Sequence, residues 1–228
     1  MPVTEAVENF VRAELANVDA SHDWLHILRV RANALKLLET EQDAGRALEA
    51  DRVVIELAAI LHDVGDHKYS GSYEAGPETV RRFLASFLEN GELTAQQVDK
   101  VVYIVANVSF SKEAAKGLNQ DMPVEIPLEL RIVQDADRLD AIGAIGIARC
   151  MAFTGARNRP FYSPGQEPAK DTSAYGHFFD KLFKLKSIMK TEAGRQEAEN
   201  RHKFMAVFIR QLEDEAGLPH RSPDVPLS

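Results

Sequence analysis

The stretch "DRVVIELAAILHDVGDHKY", residues 51–69, decides the fold. Residues 51–64 are nearly apolar throughout, which predicts a helix buried on all sides. That run ends on His62 and Asp63, followed by Gly65, Asp66 and His67. An imidazole beside a carboxylate is costly to bury unless each is paired or holds a metal. Either this pair has left the core, or it has partners elsewhere in the chain.

Working outward, helical periodicity dominates. Residues 4–17 place Val7, Phe10, Val11 and Leu15 at helical spacing, and residues 22–41 place Leu25, Leu28, Ala32, Leu35 and Leu38 likewise. Pro77 opens a helix that stops before Gly91, and Thr94 is a suitable N-cap for a helix over 94–108. A long helix is predicted over 127–153, then two more at about 173–190 and 194–216. Alternating strand patterns are scarce, so the expected fold class is all-α. The proline- and glycine-bearing stretch 154–172 is the one long loop between helices. It carries Arg157, Arg159 and Lys170 with Phe161 and Tyr162, a composition suited to a lid over a phosphorylated, base-bearing substrate. A mobile solvent loop is the alternative.

Composition is that of a globular protein, with 45% hydrophobic and 27% charged residues. The net charge of −8 argues against non-specific nucleic-acid binding. The first residues carry acids and no apolar core segment, and no apolar run is long enough to span a membrane. A cytoplasmic protein with neither nucleic-acid nor membrane partners is expected. The single cysteine, Cys150, sits in an apolar helical stretch and reads as a small buried hydrophobe.

Polar residues interrupt this apolar pattern at a few places. His22, His26 and Arg29 share one helical face at offsets 0, +4 and +7. His62 and Asp63 close the central helix. Asp135, Asp137 and Asp140 punctuate the helix over 127–153, where at least one acid should point inward. Asp135 and Asp140 could instead pair with Arg131 or Arg138 on the surface, where Arg138 is expected. Imidazoles and carboxylates from three helices can satisfy one another through a metal. A mixed N/O set suits Mn, Fe, Co or Mg better than a structural Zn.

The order His26, then His62-Asp63 after 36 residues, then Asp137 after a further 74 resembles the signature of the HD superfamily of metal-dependent phosphohydrolases. The matching segments are "SHDWLHILRV", "AAILHDVGDHKY" and "RIVQDADRLDAIGAIGIAR". They look most like the small stand-alone bacterial YedJ/YpgQ-like branch. The resemblance implies an HD-domain helical bundle forming a single domain over 1–228. Its core would be 20–185, followed by a helical extension over 186–216 and a frayed tail over 217–228. It implies that His26, His62, Asp63 and Asp137 bind one divalent ion, with Mn²⁺ favoured and Mg²⁺, Co²⁺, Ni²⁺ or Fe²⁺ possible. Asp66 stands where some relatives have a water-activating glutamate, so Asp66 or Asp63 is the expected proton acceptor. Arg29 and Lys68 are candidate phosphate clamps, and His22 is a possible phosphate contact. The implied partner is a small phosphorylated substrate of the nucleotide class. The first expectation is hydrolysis of a (deoxy)nucleoside triphosphate to monophosphate plus pyrophosphate. Monophosphatase or phosphodiesterase activity on the same site, and a ligand-binding HD module without activity, are the alternatives.

Overall fold

A computed structural model describes residues 2–14, 24–65, 75–109, 126–165, 171–221 and 223. Among these residues every regular element is helical, as the apolar spacing predicts. The chain forms two compact units, Met1–Asp137 and Arg138–Ser228.

In the first unit the central element is α3 (Arg52–Leu61), packed against α1 (Val3–Glu14), α2 (Trp24–Asp43) and α5 (Ala95–Asn107). Val54, Ile55 and the whole run Leu57–Leu61 are buried. Two β-branched residues, Val54 and Ile55, are mediocre helix formers, yet burial overrides that preference. A fully buried Ile or Leu contributes about 1.5–3 kcal/mol, against a propensity deficit of about half a kcal/mol each. The helix starts where Asp51 accepts hydrogen bonds from the backbone N–H of Val53 (2.9 Å) and Val54 (3.2 Å). Helix α4 (Ala75–Glu89) pairs with α5, which begins in a reciprocal capping box between Thr94 and Gln97. Arg31 on α2 ties Glu8 of α1 to Glu56 of α3.

The buried face of α2 differs from the expected stripe. Leu25 is 58% exposed and Ala32 is exposed, whereas His26, Ile27, Val30, Ala34, Leu37 and Leu38 are buried. The helix carries apolar residues on both sides, so periodicity alone does not fix its rotation.

Helix α6 (Leu128–Asp140) runs across the boundary between the units, and α7 (Gly143–Ala156) follows it. The single helix expected over 127–153 is thus two. Gly143 has φ +75°, a left-handed backbone that ends one helix before the next begins. A β-carbon there would meet Arg201 Cγ at 3.0 Å.

The second unit holds α7, α8 (Ala174–Asp180), a 3₁₀ helix (Leu182–Ile188) and α9 (Glu192–Ala216). The helix expected over 173–190 is therefore split, with Lys181 breaking helical geometry between its parts. Phe178 is the centre of its core, with ring neighbours Phe183 and Phe208. Cys150 is buried, as expected. Glu213 is fully buried and accepts from the Tyr175 hydroxyl (2.9 Å) and the Arg221 N–H (2.8 Å). Residues up to Arg221 in the expected frayed tail thus hold defined contacts. Within the stretch 154–172, α7 takes the first residues. The carbonyls of Pro160 and Phe161 accept from the N–H groups of Ala174 and Tyr175. Lys170 lies outside the described residues.

Candidate metal centre

Three helices of the first unit deliver the site. Helix α2 contributes His26, the C-terminal end of α3 contributes His62 and Asp63, and α6 contributes Asp137. One donor atom each from His26, His62 and Asp137 lie within 4.8 Å of one another. The two imidazole Nε2 atoms are 3.2 Å apart. Asp63 bridges them, with one carboxylate oxygen 3.3 Å from His26 Nε2 and the other 3.5 Å from His62 Nε2. A carboxylate oxygen of Asp137 sits 3.7 Å and 3.8 Å from the same two nitrogens. Both histidines are buried, while the Asp137 side chain is 33% exposed, so the centre opens to solvent on that side.

The donor set fits a divalent cation. His62 Nδ1 lies 2.8 Å from the Ala59 carbonyl oxygen. A carbonyl only accepts, so Nδ1 carries the proton and Nε2 presents its lone pair inward. This is the tautomer a metal ligand requires, fixed by the partner of the other nitrogen. With both imidazoles neutral, one N–H at His26 Nε2 could serve the His62 lone pair at 3.2 Å, but it leaves the carboxylates of Asp63 and Asp137 facing the pair without a compensating charge. Two protonated imidazoles at 3.2 Å would repel as like charges. A cation among the four groups removes both conflicts, and two imidazoles with two carboxylates match the borderline ions.

Local backbone geometry holds these donors. Asp63 lies in the turn that leaves α3, and Gly65 closes it at φ +63°. A β-carbon on Gly65 would lie 2.7 Å from Gly76 Cα, and one on Gly76 would lie 2.4 Å from the Val64 carbonyl oxygen. Two bare backbones therefore pack against each other where the ligand-bearing turn meets α4. On the other side, Asn33 of α2 donates to the Ala136 carbonyl (3.4 Å), and Gln134 donates to the Asn107 carbonyl (2.9 Å). These contacts set α6 beside α2 and α5 at the level of Asp137. Asn33, Gly65 and Gly76 carry no sequence motif, and only the folded chain reveals their part.

Of the other candidates, Arg29 is half-buried on α2, three residues after His26. His22, Asp66 and Lys68 lie outside the described residues. The acid that points fully inward is Asp135, at 0% exposure. Asp140 is also buried and pairs with Arg149 at 2.7 Å, not with a surface arginine. Arg138, expected on the surface, is 3% exposed, and its Nη1 donates to the Ile188 carbonyl at 3.0 Å. Its partner is a backbone atom 50 residues away, which no local charge pattern announces.

Comparison with known proteins places the chain in a family. The HD domain model matches residues 24–142. The uncharacterized protein YpgQ of Bacillus subtilis is 37% identical over 212 residues, covering 92% of this chain and 91% of the relative. An HD-superfamily hydrolase structure from Bacillus thuringiensis superposes with a TM-score of 0.72 at 38% identity, over 95% of this chain and 97% of that one. The structure of Bacillus subtilis YpgQ in complex with ADP superposes with a TM-score of 0.69 at 35% identity, over 93% and 97%. With the matched segment spanning every residue of the His-His-Asp-Asp cluster, the chain belongs to the HD domain family.

Proposed function

We propose that the protein is a metal-dependent phosphohydrolase of nucleotides, converting a nucleoside or deoxynucleoside triphosphate to the monophosphate and pyrophosphate. The observation that carries this reading is the convergence of two buried imidazole nitrogens and two carboxylates, with the His62 tautomer fixed for ligation. His26, His62, Asp63 and Asp137 would hold one divalent ion, with Mn²⁺ preferred to Mg²⁺ because two of the donors are nitrogens. A divalent ion bound there supplies Lewis-acid activation of water and neutralisation of phosphate charge.

This chain's own groups do the rest. The Ala59 carbonyl keeps His62 Nδ1 protonated and its ring oriented. The Asp63 carboxylate, 15% exposed, or Asp66 three residues later accepts the proton of the attacking water. Arg29 grips a phosphate oxygen pair through its planar guanidinium, with Lys68 and His22 as further phosphate contacts. The whole chain acts as one HD domain. The nucleotide class is supported by the ADP held in the YpgQ structure.

Products distinguish the possible bonds. Metal-free protein is reloaded with Mn²⁺, given a panel of nucleotides, and its products are separated by chromatography. Pyrophosphate with nucleoside monophosphate is the expected outcome. Orthophosphate as the only initial product rejects the pyrophosphohydrolase reading in favour of a phosphatase.

A further inference from the structure

The first unit carries a second concave feature apart from the metal centre. A cleft of about 640 Å³ runs along one face of α5 to the start of α6. Its volume is ordinary for a small-molecule site. Positions 96, 99, 100, 103 and 104 of α5 line it at the i, i+3, i+4, i+7 spacing of a single helical face, and Pro127 and Glu129 complete it. Glu129 stands eight residues before Asp137 on α6, about 12 Å along the axis. The cleft is therefore not the entrance to the metal donors.

Its chemistry selects the ligand. The floor is apolar: Ile104 is 1% exposed, and Pro127 lies beside it. Tyr103 is 42% exposed, a large aromatic surface left in water at the edge of an apolar depression. The charges are already engaged. Lys100 donates to the buried Glu129 at 2.7 Å, and Asp99 accepts from Arg81 at 2.7 Å. Lys100 is the one cation in the lining and is paired with Glu129, and two of the three charged groups there are carboxylates, so the lining has no net positive charge to draw an anion. Gln96 forms no hydrogen bond with any described residue, so its carboxamide can both donate to and accept from a ligand edge.

We propose that this cleft binds an uncharged, flat heteroaromatic molecule. The ring lies against Tyr103 and Pro127, and its polar edge meets the Gln96 carboxamide. The proposal stands independently of the reaction catalysed at the metal centre.

Nicotinamide and nicotinate test it, because they share one ring and differ in charge. Saturation-transfer NMR on the full chain should show transfer to nicotinamide and much less to nicotinate, whose carboxylate would enter a lining with more acidic than basic groups. Tyr103→Ala should weaken nicotinamide binding about fivefold or more, the range for loss of one aromatic stacking partner. Tyr103→Phe should keep it. Tyr103 is too exposed for its truncation to unfold the protein. Absence of transfer to nicotinamide, or equal transfer in wild type and Tyr103→Ala, overturns the site. Equal binding of nicotinate overturns the requirement for a neutral ligand.

Discussion

His62 Nδ1 lies 2.8 Å from the carbonyl oxygen of Ala59, three residues earlier in the same chain. That carbonyl is at the end of α3, where backbone acceptors lack intrahelical donors. One contact thus satisfies a helix terminus and sets the tautomer of a histidine in the candidate centre. The same relationship explains why an apolar helix ends on a polar pair.

Metal content is the first test of the centre. The protein should carry about one divalent ion per chain, as expected of a mononuclear N/O set. His62→Ala and Asp63→Ala should each remove the ion together with activity. Elemental analysis showing undiminished metal in both variants contradicts the assignment. Chelator treatment should lower the melting temperature, because an ion that binds the folded chain alone stabilises it by mass action.

Arg29 separates gripping substrate from holding metal. Arg29→Ala should retain the ion and lose about tenfold or more in turnover, the scale of one charge-assisted contact. Steady-state kinetics alongside metal analysis reads both quantities. Unchanged turnover would move Arg29 from the substrate to the scaffold.

The glycine pair below the centre is a stability prediction. Gly65→Ala adds a side chain at φ +63°, which alone costs about 1–2 kcal/mol, and drives its β-carbon against Gly76. Gly45→Ala adds the same strain at φ +72° with nothing within 4 Å. Gly65→Ala should therefore lower the melting temperature more than Gly45→Ala does. Equal losses would show that the backbone contact carries no energy beyond the dihedral.

Acid sensitivity should trace in part to His202. Burial, and then Lys186, hold its pKa below the usual histidine range, while Glu199 opposes them. Its Nδ1 has no hydrogen-bond partner, and its ring packs edge-on against Phe183 at 5.1 Å. The unfolded chain takes up this proton near the ordinary value of about 6.5, and the folded chain only at lower pH. The unfolded state therefore binds more protons in that window, and stability falls as pH drops below about 6.5. His202→Met should gain melting temperature relative to wild type as pH goes from 7.5 to 5. Thermal melts showing a constant difference would assign the acid sensitivity elsewhere.

Cys150 should be slow to react. Burial raises its pKa to about 11, so very little thiolate exists at pH 8. Ellman's reagent should label it only after guanidinium unfolds the chain. Rapid labelling of the native protein would mean that α7 opens locally.

The sequence and the fold agree where a single local rule governs. The clustering positions are legible because imidazoles and carboxylates stand out against the apolar surroundings of Leu61, Val133 and Leu139, and helical spacing places them on three elements. The break at Gly143 was not legible, because a glycine in an apolar helix reads equally as a packing position. The rotation of α2 was hidden by Leu25, an exposed residue of a type usually buried. Arg138 was misplaced because its acceptor, the Ile188 carbonyl, is distant in sequence and has no side-chain identity. His22, Asp66 and Lys68 remain readings of the sequence, since they lie outside the described residues.

The buried Glu213 also decides how the polypeptide can be handled at the bench. Its backbone carbonyl takes the Leu218 N–H, and its carboxylate takes the N–H of Arg221. Shortening the chain ahead of Leu218 would remove both donors and uncover a carboxylate that the intact fold keeps from water, so an expression boundary placed there should give poorly behaved protein. A cleavage site or affinity tag joined after residue 223 leaves both donors in place.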